Sequence, residues 1–356
     1  TPRPYLECPA QVVRLRLLNG SNARIYPLGF EDGRSFSVIA SDGGLLNAPV
    51  NMDRVWLSNG ERAEVLLDLT GLAGDSLLLM SFGSELPQTV PGANNILWEG
   101  SILNGIDFPV LRIRVTPPTA APVTSIPATL VPVLPYDEAS ATRTRTKVLA
   151  GNGMVGMGMF TINGLMFDLN VINDTVLLGS TEIWGIENIS NMAHPFHIHG
   201  GSFYLLDRDG LAPPAWEQGA KDVVLVDAGE NVRVIMRFDD LTEGWPFMYH
   251  CHNLLHEDNM MMAQYIVVDG ATAVASTVPV PQVRTYPVRT KGPLSVEAPF
   301  GVLSAAIVDL SGSMVVRAQL NGGSHGELDT SALPSGLYTL VLSGEHGSMH
   351  SRFIRE

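Results

Sequence analysis

The segment Tyr249-His250-Cys251-His252-Asn253-Leu254-Leu255-His256-Glu257-Asp258-Asn259-Met260-Met261 puts a thiol, three imidazoles and a thioether within thirteen residues. That mixture is a copper ligand set: a trigonal His₂Cys site with a weak axial Met is the geometry of a blue electron-transfer centre. Cys251, His256 and Met261 supply all of it except one histidine. The missing ring has a source upstream, in His194-Pro195-Phe196-His197-Ile198-His199. Side chains alternate faces along a strand, so His250 and His252 point one way and Cys251 the other. By the same parity His197 and His199 share a face, and His194 falls on the opposite one. His194 therefore pairs with Cys251. The pattern predicts two metal sites back to back: a mononuclear one from His194, Cys251, His256 and Met261, and a histidine-only one from His197, His199, His250 and His252. Six of the nine histidines fall in these two windows, around one of only two cysteines. Structural zinc is the competing chemistry, but it favours closed Cys-rich sets with C-x-x-C spacing, and this chain has no such pair.

Strands are thereby required, and composition agrees. The 35 Gly and 24 Pro punctuate short runs rich in Val, Ile, Leu and Thr, the pattern of sandwiches rather than of helical folds. At 356 residues, two or three domains of about 100–150 residues are expected. Residues 1–116 read as one sandwich without ligand clusters, with strand candidates Val12 to Leu18, Ser35 to Ala40, Ala63 to Leu69, Ser76 to Ser81 and Val110 to Val115. Residues 117–146 are a linker, rich in Pro, Ala and Thr as far as about Pro135 and expected to be extended and solvated. Residues 147–270 hold every copper ligand, 271–285 form a second linker and 286–356 a separate small β-domain. The fold class expected is all-β. A net charge of −14 argues against binding nucleic acid through its phosphates, and no stretch of about 20 apolar residues suggests a membrane span. Cys8 reads as a small buried hydrophobe or as half of a disulfide to another domain. His325, His346 and His350 read as exposed polar residues. The Gly151–Met159 stretch, with three Met, reads either as a flexible Gly-rich loop or as a Cu(I) site, and Met192 as a neighbour of an exposed edge of His194 or as packing.

His-Pro-x-His-x-His followed by His-Cys-His-x-x-x-His with Met five residues on resembles the C-terminal cupredoxin domain of multicopper oxidases, the family of laccases, bilirubin oxidases and bacterial cuprous oxidases. The resemblance implies tandem cupredoxin-like Greek-key sandwiches and a blue type 1 copper at His194, Cys251, His256 and Met261. It implies a trinuclear cluster that reduces dioxygen to water, with His197 on the type 2 copper and His199, His250 and His252 on the type 3 pair. Cys251, flanked by His250 and His252, then passes electrons to that cluster, and Glu257 matches a carboxylate that delivers protons. Half of the cluster's histidines, two His-x-His motifs carried by the family's first domain, are not in this sequence. Val13–Arg24, Ala40–Gly44 and Gly60–Val65 resemble the family's middle domain. The sequence is therefore expected to be a fragment, a split enzyme or one chain of a two-chain assembly, with an N-terminal cupredoxin domain as partner.

Tyr286-Pro287-Val288, Val308–Gly312, Leu328–Tyr338 and Phe353-Ile354 resemble the C-terminal sorting domain of the type IX secretion system, although Val288-Arg289 replaces the usual Asn-Pro. The resemblance implies a small β-sandwich on an exported bacterial protein, periplasmic to extracellular or at the cell surface. The function expected is oxidation of a small reducing substrate, coupled to dioxygen reduction. Phenols, aromatic amines, bilirubin-like pigments and metal ions all remain open as that substrate. The alternative is a type 1 electron-transfer protein without oxidase activity.

Overall fold

The computed structural model describes residues 4–95, 101–151, 160–242, 245–270, 284–287, 289–297, 302–309, 314–319, 323–344 and 347–356. Their regular structure is almost wholly strand. Two compact units emerge, residues 1–272 and 273–356.

Within the first unit, residues 5–116 make two sheets. One orders Tyr5–Pro9, Asp107–Thr116, Ser76–Phe82, Tyr26–Phe30 and Val55–Leu57; the other orders Val12–Leu18, Arg62–Asp68, Phe36–Ser41 and Gly44–Met52. Arg62–Asp68 alternates buried and half-buried side chains, as a strand with one face on a core must. The inward residues, among them Phe30, Val38, Leu57, Val65, Leu67 and Ile113, form one apolar cluster. Cys8 lies in it as a free thiol. Phe36–Ser41 is buried at all six positions, because residues 215–220 cover its outer face: Ser41 Oγ donates to the Ala220 carbonyl at 2.8 Å.

Residues 143–268 make the second pair of sheets. One orders Phe160–Ile162, Arg143–Gly151, Thr181–Asn188, Asn231–Arg237 and Phe203–Arg208. The other orders Asp174–Leu177, Met262–Val268, Phe247–Cys251, His194–Ile198 and Val223–Val226, so the two ligand-bearing strands are antiparallel neighbours, with Phe196 opposite Cys251 and His197 opposite His250. Parallel pairs occur in both halves, Tyr5–Pro9 with Asp107–Thr116 and Arg143–Gly151 with Thr181–Asn188. Such pairs need crossovers rather than hairpins.

Residues 117–136 carry no regular structure, yet they are not free. The Val12 amide donates to Val123 O at 2.7 Å, and the Leu130 amide to Asn47 O at 2.8 Å. The linker is exposed at most positions, as expected of a solvated segment, and is laced along the first sandwich, with Leu130 packed on its core.

The second unit holds a three-stranded sheet, Arg284–Tyr286, Pro293–Glu297 and His325–Asp329, and a five-stranded one, Arg289–Thr290, Gly347–Arg355, Gly336–Gly344, Val302–Val308 and Met314–Gln319. Leu294, Ile307, Leu340, Leu342 and Phe353 are buried between them. His325 is exposed and no His/Cys/carboxylate cluster of metal-site geometry occurs in this unit among the described residues. His346 and the Met154–Met159 stretch lie outside the described residues.

Candidate metal centres

The strand Phe247–Cys251 ends at the cysteine, and a single turn of helix, Leu254–Asp258, succeeds it. Asn253 caps this turn, its side chain accepting the Leu255 amide at 3.2 Å, as an N-cap Asn does. The turn brings His256 back over Cys251. Met260, at φ 76, takes the left-handed conformation that reverses the chain. Met261 is then tied by its backbone to both ligands: its carbonyl accepts the Cys251 amide at 3.1 Å and its amide donates to His256 O at 3.0 Å.

Three donor atoms converge there. His194 Nδ1 and His256 Nδ1 are 3.0 Å apart, and Cys251 Sγ is 3.5 Å from the first and 3.4 Å from the second. Planar trigonal ligands about 2.0–2.3 Å from a metal would show edges of roughly 3.5 Å, so this triangle fits one ion. His194, Cys251 and Met261 are 0% exposed, and Met261 shares the apolar cluster of Cys251. Ser190 Oγ sits 2.8 Å from His194 Nε2, leaving Nδ1 for the metal, and Phe160 stacks on the His256 ring at 4.2 Å. Burial holds His256 near a pKa of about 3 and His194 well below its usual value, helped there by the neighbouring His256. It raises the Cys251 thiol. Neutral imidazoles are the metal-binding form. A bound metal would deprotonate that thiol.

The second cluster faces the other way. His199 Nε2 and His250 Nε2 are 3.1 Å apart, and one nitrogen each of His197, His199 and His250 lie within 4.8 Å of one another. The backbone fixes two of these tautomers, because His197 Nδ1 donates to Asp222 O at 2.7 Å and His250 Nδ1 to Cys251 O at 3.0 Å. Both then present Nε2. Tyr265 OH donates to His199 O at 2.6 Å and holds its backbone. Burial holds His250 at about 3 and lowers His197 and His199 less. His252 lies past the strand end, its ring 5.5 Å from that of His197 and 5.6 Å from that of His250, outside the tight triad. Glu257 Oε2 is 3.4 Å from His250 Nδ1, and burial raises its pKa. Glu257 and His252 share a cleft of about 450 Å³ with Asn19, Gly60 and Arg62 of the first sandwich.

The parity argument thus meets the geometry: His194 joins Cys251 and His256, while His197 and His199 join His250 on the far side. Of the two readings of Met192, packing holds: His194 has no exposed edge, and Met192 is a core residue at 2% exposure. Ser190, Phe160, Asp222 and Tyr265 support the ligands, and none carries a signal in the linear pattern, because each acts through contacts made only by folding.

Residues 137–271 match the family described as multicopper oxidase, and residues 284–356 the secretion system C-terminal sorting domain. A multicopper oxidase of Staphylococcus haemolyticus is 32% identical over 271 residues, 75% of this chain and 50% of that protein. The laccase of Bacillus subtilis is 30% identical over 286 residues, 75% of this chain and 53% of that protein. The structure of a laccase-like multicopper oxidase from Ochrobactrum sp. superposes with a TM-score of 0.63 at 33% identity, covering 75% of this chain and 58% of the other. The chain spans about half the length of the curated relatives it matches. The sorting-domain match indicates export to the cell surface or the extracellular space, and no helix among the described residues is long and apolar enough to cross a membrane. With two donor sets of the copper kind, neutral and convergent on opposite faces of one sheet, and with these matches, residues 137–271 are a multicopper oxidase family domain and residues 284–356 a secretion-type sorting domain.

Proposed function

We propose that this chain is the copper-bearing part of a laccase-like oxidase, in which His194, Cys251, His256 and Met261 hold a type 1 copper. In the same reading His197 serves a type 2 copper, and His199, His250 and His252 serve a type 3 pair. Copper in these two sets supplies one-electron oxidation of a reducing substrate at the first and four-electron reduction of dioxygen to water at the second. The observation that carries the reading is the single peptide unit on either side of Cys251: the residue that closes the buried set is covalently next to His250 and His252 of the other. Cys251 thereby links the sets without a gap across solvent, and Met261, buried against it, tunes the first. Glu257, its carboxyl raised in pKa by burial and 3.4 Å from His250 Nδ1, is placed to pass protons between the cleft and the histidines.

The second set holds only half of a trinuclear cluster's ligands. The rest come from an N-terminal cupredoxin domain, in cis or in trans, that carries two His-x-His motifs and closes the cleft beside His252. Residues 1–116 act as the middle domain, 147–270 as the copper domain and 286–356 as the export module. A pure electron carrier is the second reading, favoured by the completeness of the buried set within this chain. Copper content and oxygen uptake decide between them. The chain alone, loaded with copper, should be blue and should not consume dioxygen; adding a domain with the two His-x-His motifs should bring in copper beyond what the chain holds alone and start turnover. A copper-to-chain ratio that stays near one in that mixture, with no uptake, establishes the carrier.

A further inference from the structure

The first sandwich grips the one that carries both donor clusters through a short stretch, Ala220-Lys221-Asp222, at three successive residues. The Ala220 carbonyl accepts the Gly43 amide at 2.7 Å and Ser41 Oγ at 2.8 Å. Lys221, 1% exposed, places Nζ 3.0 Å from Asp42 Oδ2 and 3.0 Å from Glu61 Oε1. Asp222 receives both tips of the Arg62 guanidinium, NH1 to Oδ1 at 2.6 Å and NH2 to Oδ2 at 2.7 Å. The same guanidinium donates to Gly60 O at 3.1 Å and to Asp42 O at 2.9 Å. A planar fork held at both tips fixes the carboxylate's orientation as a point charge could not.

The backbone of that Asp faces the histidines. Its carbonyl accepts His197 Nδ1–H at 2.7 Å and the Ile198 amide at 3.2 Å. A metal-binding imidazole depends on such a partner at its other nitrogen for tautomer and aim, and losing it typically weakens metal binding 10–100-fold. We infer that Arg62 is a positioning residue for the second metal set: by clamping Asp222 it holds the carbonyl that keeps the proton on His197 Nδ1 and leaves Nε2 for a metal. The sandwich that holds no ligand cluster among its described residues therefore helps to shape a ligand in its neighbour. The metal part of this inference rests on the reading of His197 as a copper ligand; the tautomer part does not.

The test uses the full chain. In the metal-free parent, nitrogen-15 NMR of the ring at alkaline pH should show His197 as a single Nδ1-protonated tautomer. Arg62→Ala should produce a mixture, and Asp222→Asn, which keeps the carbonyl but loses the fork, should do the same if the first variant does not fold. Ser41→Ala removes one hydrogen bond from the same interface without touching Arg62 and should leave the tautomer as in the parent. A second arm titrates Cu(II) into chains whose blue site is already filled: the non-blue copper signal should need about tenfold more copper in Arg62→Ala, with the blue absorbance unchanged. A single unchanged tautomer in both Arg62→Ala and Asp222→Asn overturns the inference, as does an equal effect from Ser41→Ala, which would mean general loosening. A tautomer change with unaltered copper affinity sustains the positioning role and removes His197 from the ligand set.

Discussion

The two ligand clusters sit on opposite faces of one sheet, share the strand Phe247–Cys251, and differ in who completes them. His194, Cys251, His256 and Met261 all come from one sandwich and are all buried. His197 and His199 are only half-buried, at a rim where Gly60 and Arg62 of the other sandwich approach His252 and Asp222. A site closed within one fold gets its geometry from packing. A site at a rim takes it from whatever docks there, which makes the second cluster the sensitive one.

Removing the thiolate should give the largest effect. Cys251→Ser should abolish the intense visible absorption of the blue copper while copper binding by His197, His199 and His250 persists; loss of both in a folded protein would show that the two sets are not separable. Acid comes next. The native rings of His194 and His256 are held far below the usual pKa of about 6.5, His256 at about 3. Below about 6.5 the unfolded chain takes up protons that the native metal-free chain refuses, so stability falls with falling pH through that window and is flat above it. The loss should reach a few kcal/mol, measured by denaturant unfolding of the metal-free chain. Copper should shift the acid limb downwards, because a bound ring must release metal to accept a proton. An unfolding free energy independent of pH between 4 and 7 would contradict the burial argument.

Gly60 offers a way to disturb the rim alone. A Cβ there would lie 2.7 Å from the His252 imidazole, on a backbone with φ +84, so Gly60→Ala should cost roughly 1–3 kcal/mol. It should weaken copper binding at the second set while leaving the blue band intact; a bleached blue band would show that the rim reaches the buried site. The smallest change expected is Met261→Leu, which should keep the colour and raise the type 1 potential, since the weak axial donor is lost. Met260→Leu should do nothing, as that side chain is 46% exposed. Voltammetry on both reads the register of the turn directly.

The residues that converge in the two clusters, their division between the faces of one sheet and the all-β character of the chain were legible in the linear order, because strand parity and side-chain chemistry are local properties. Val12–Leu18 was legible too, since one buried face imposes its alternation. Tyr5–Pro9 and Val55–Leu57 were not: the first is an edge strand in parallel register with Asp107–Thr116 about a hundred residues on, and the second has only three residues. The helical turn at Leu254–Asp258 and the left-handed Met260 were equally hidden, since their role is to return His256 and Met261 to Cys251. Tertiary structure alone decided which atoms hold those ligands in aim: Ser190 for His194, the Asp222 carbonyl for His197, and behind it Arg62 from the other sandwich. The ligand types follow from what each side chain can donate, whereas their tautomers and angles follow from partners brought close only by the pairing of sheets distant in sequence.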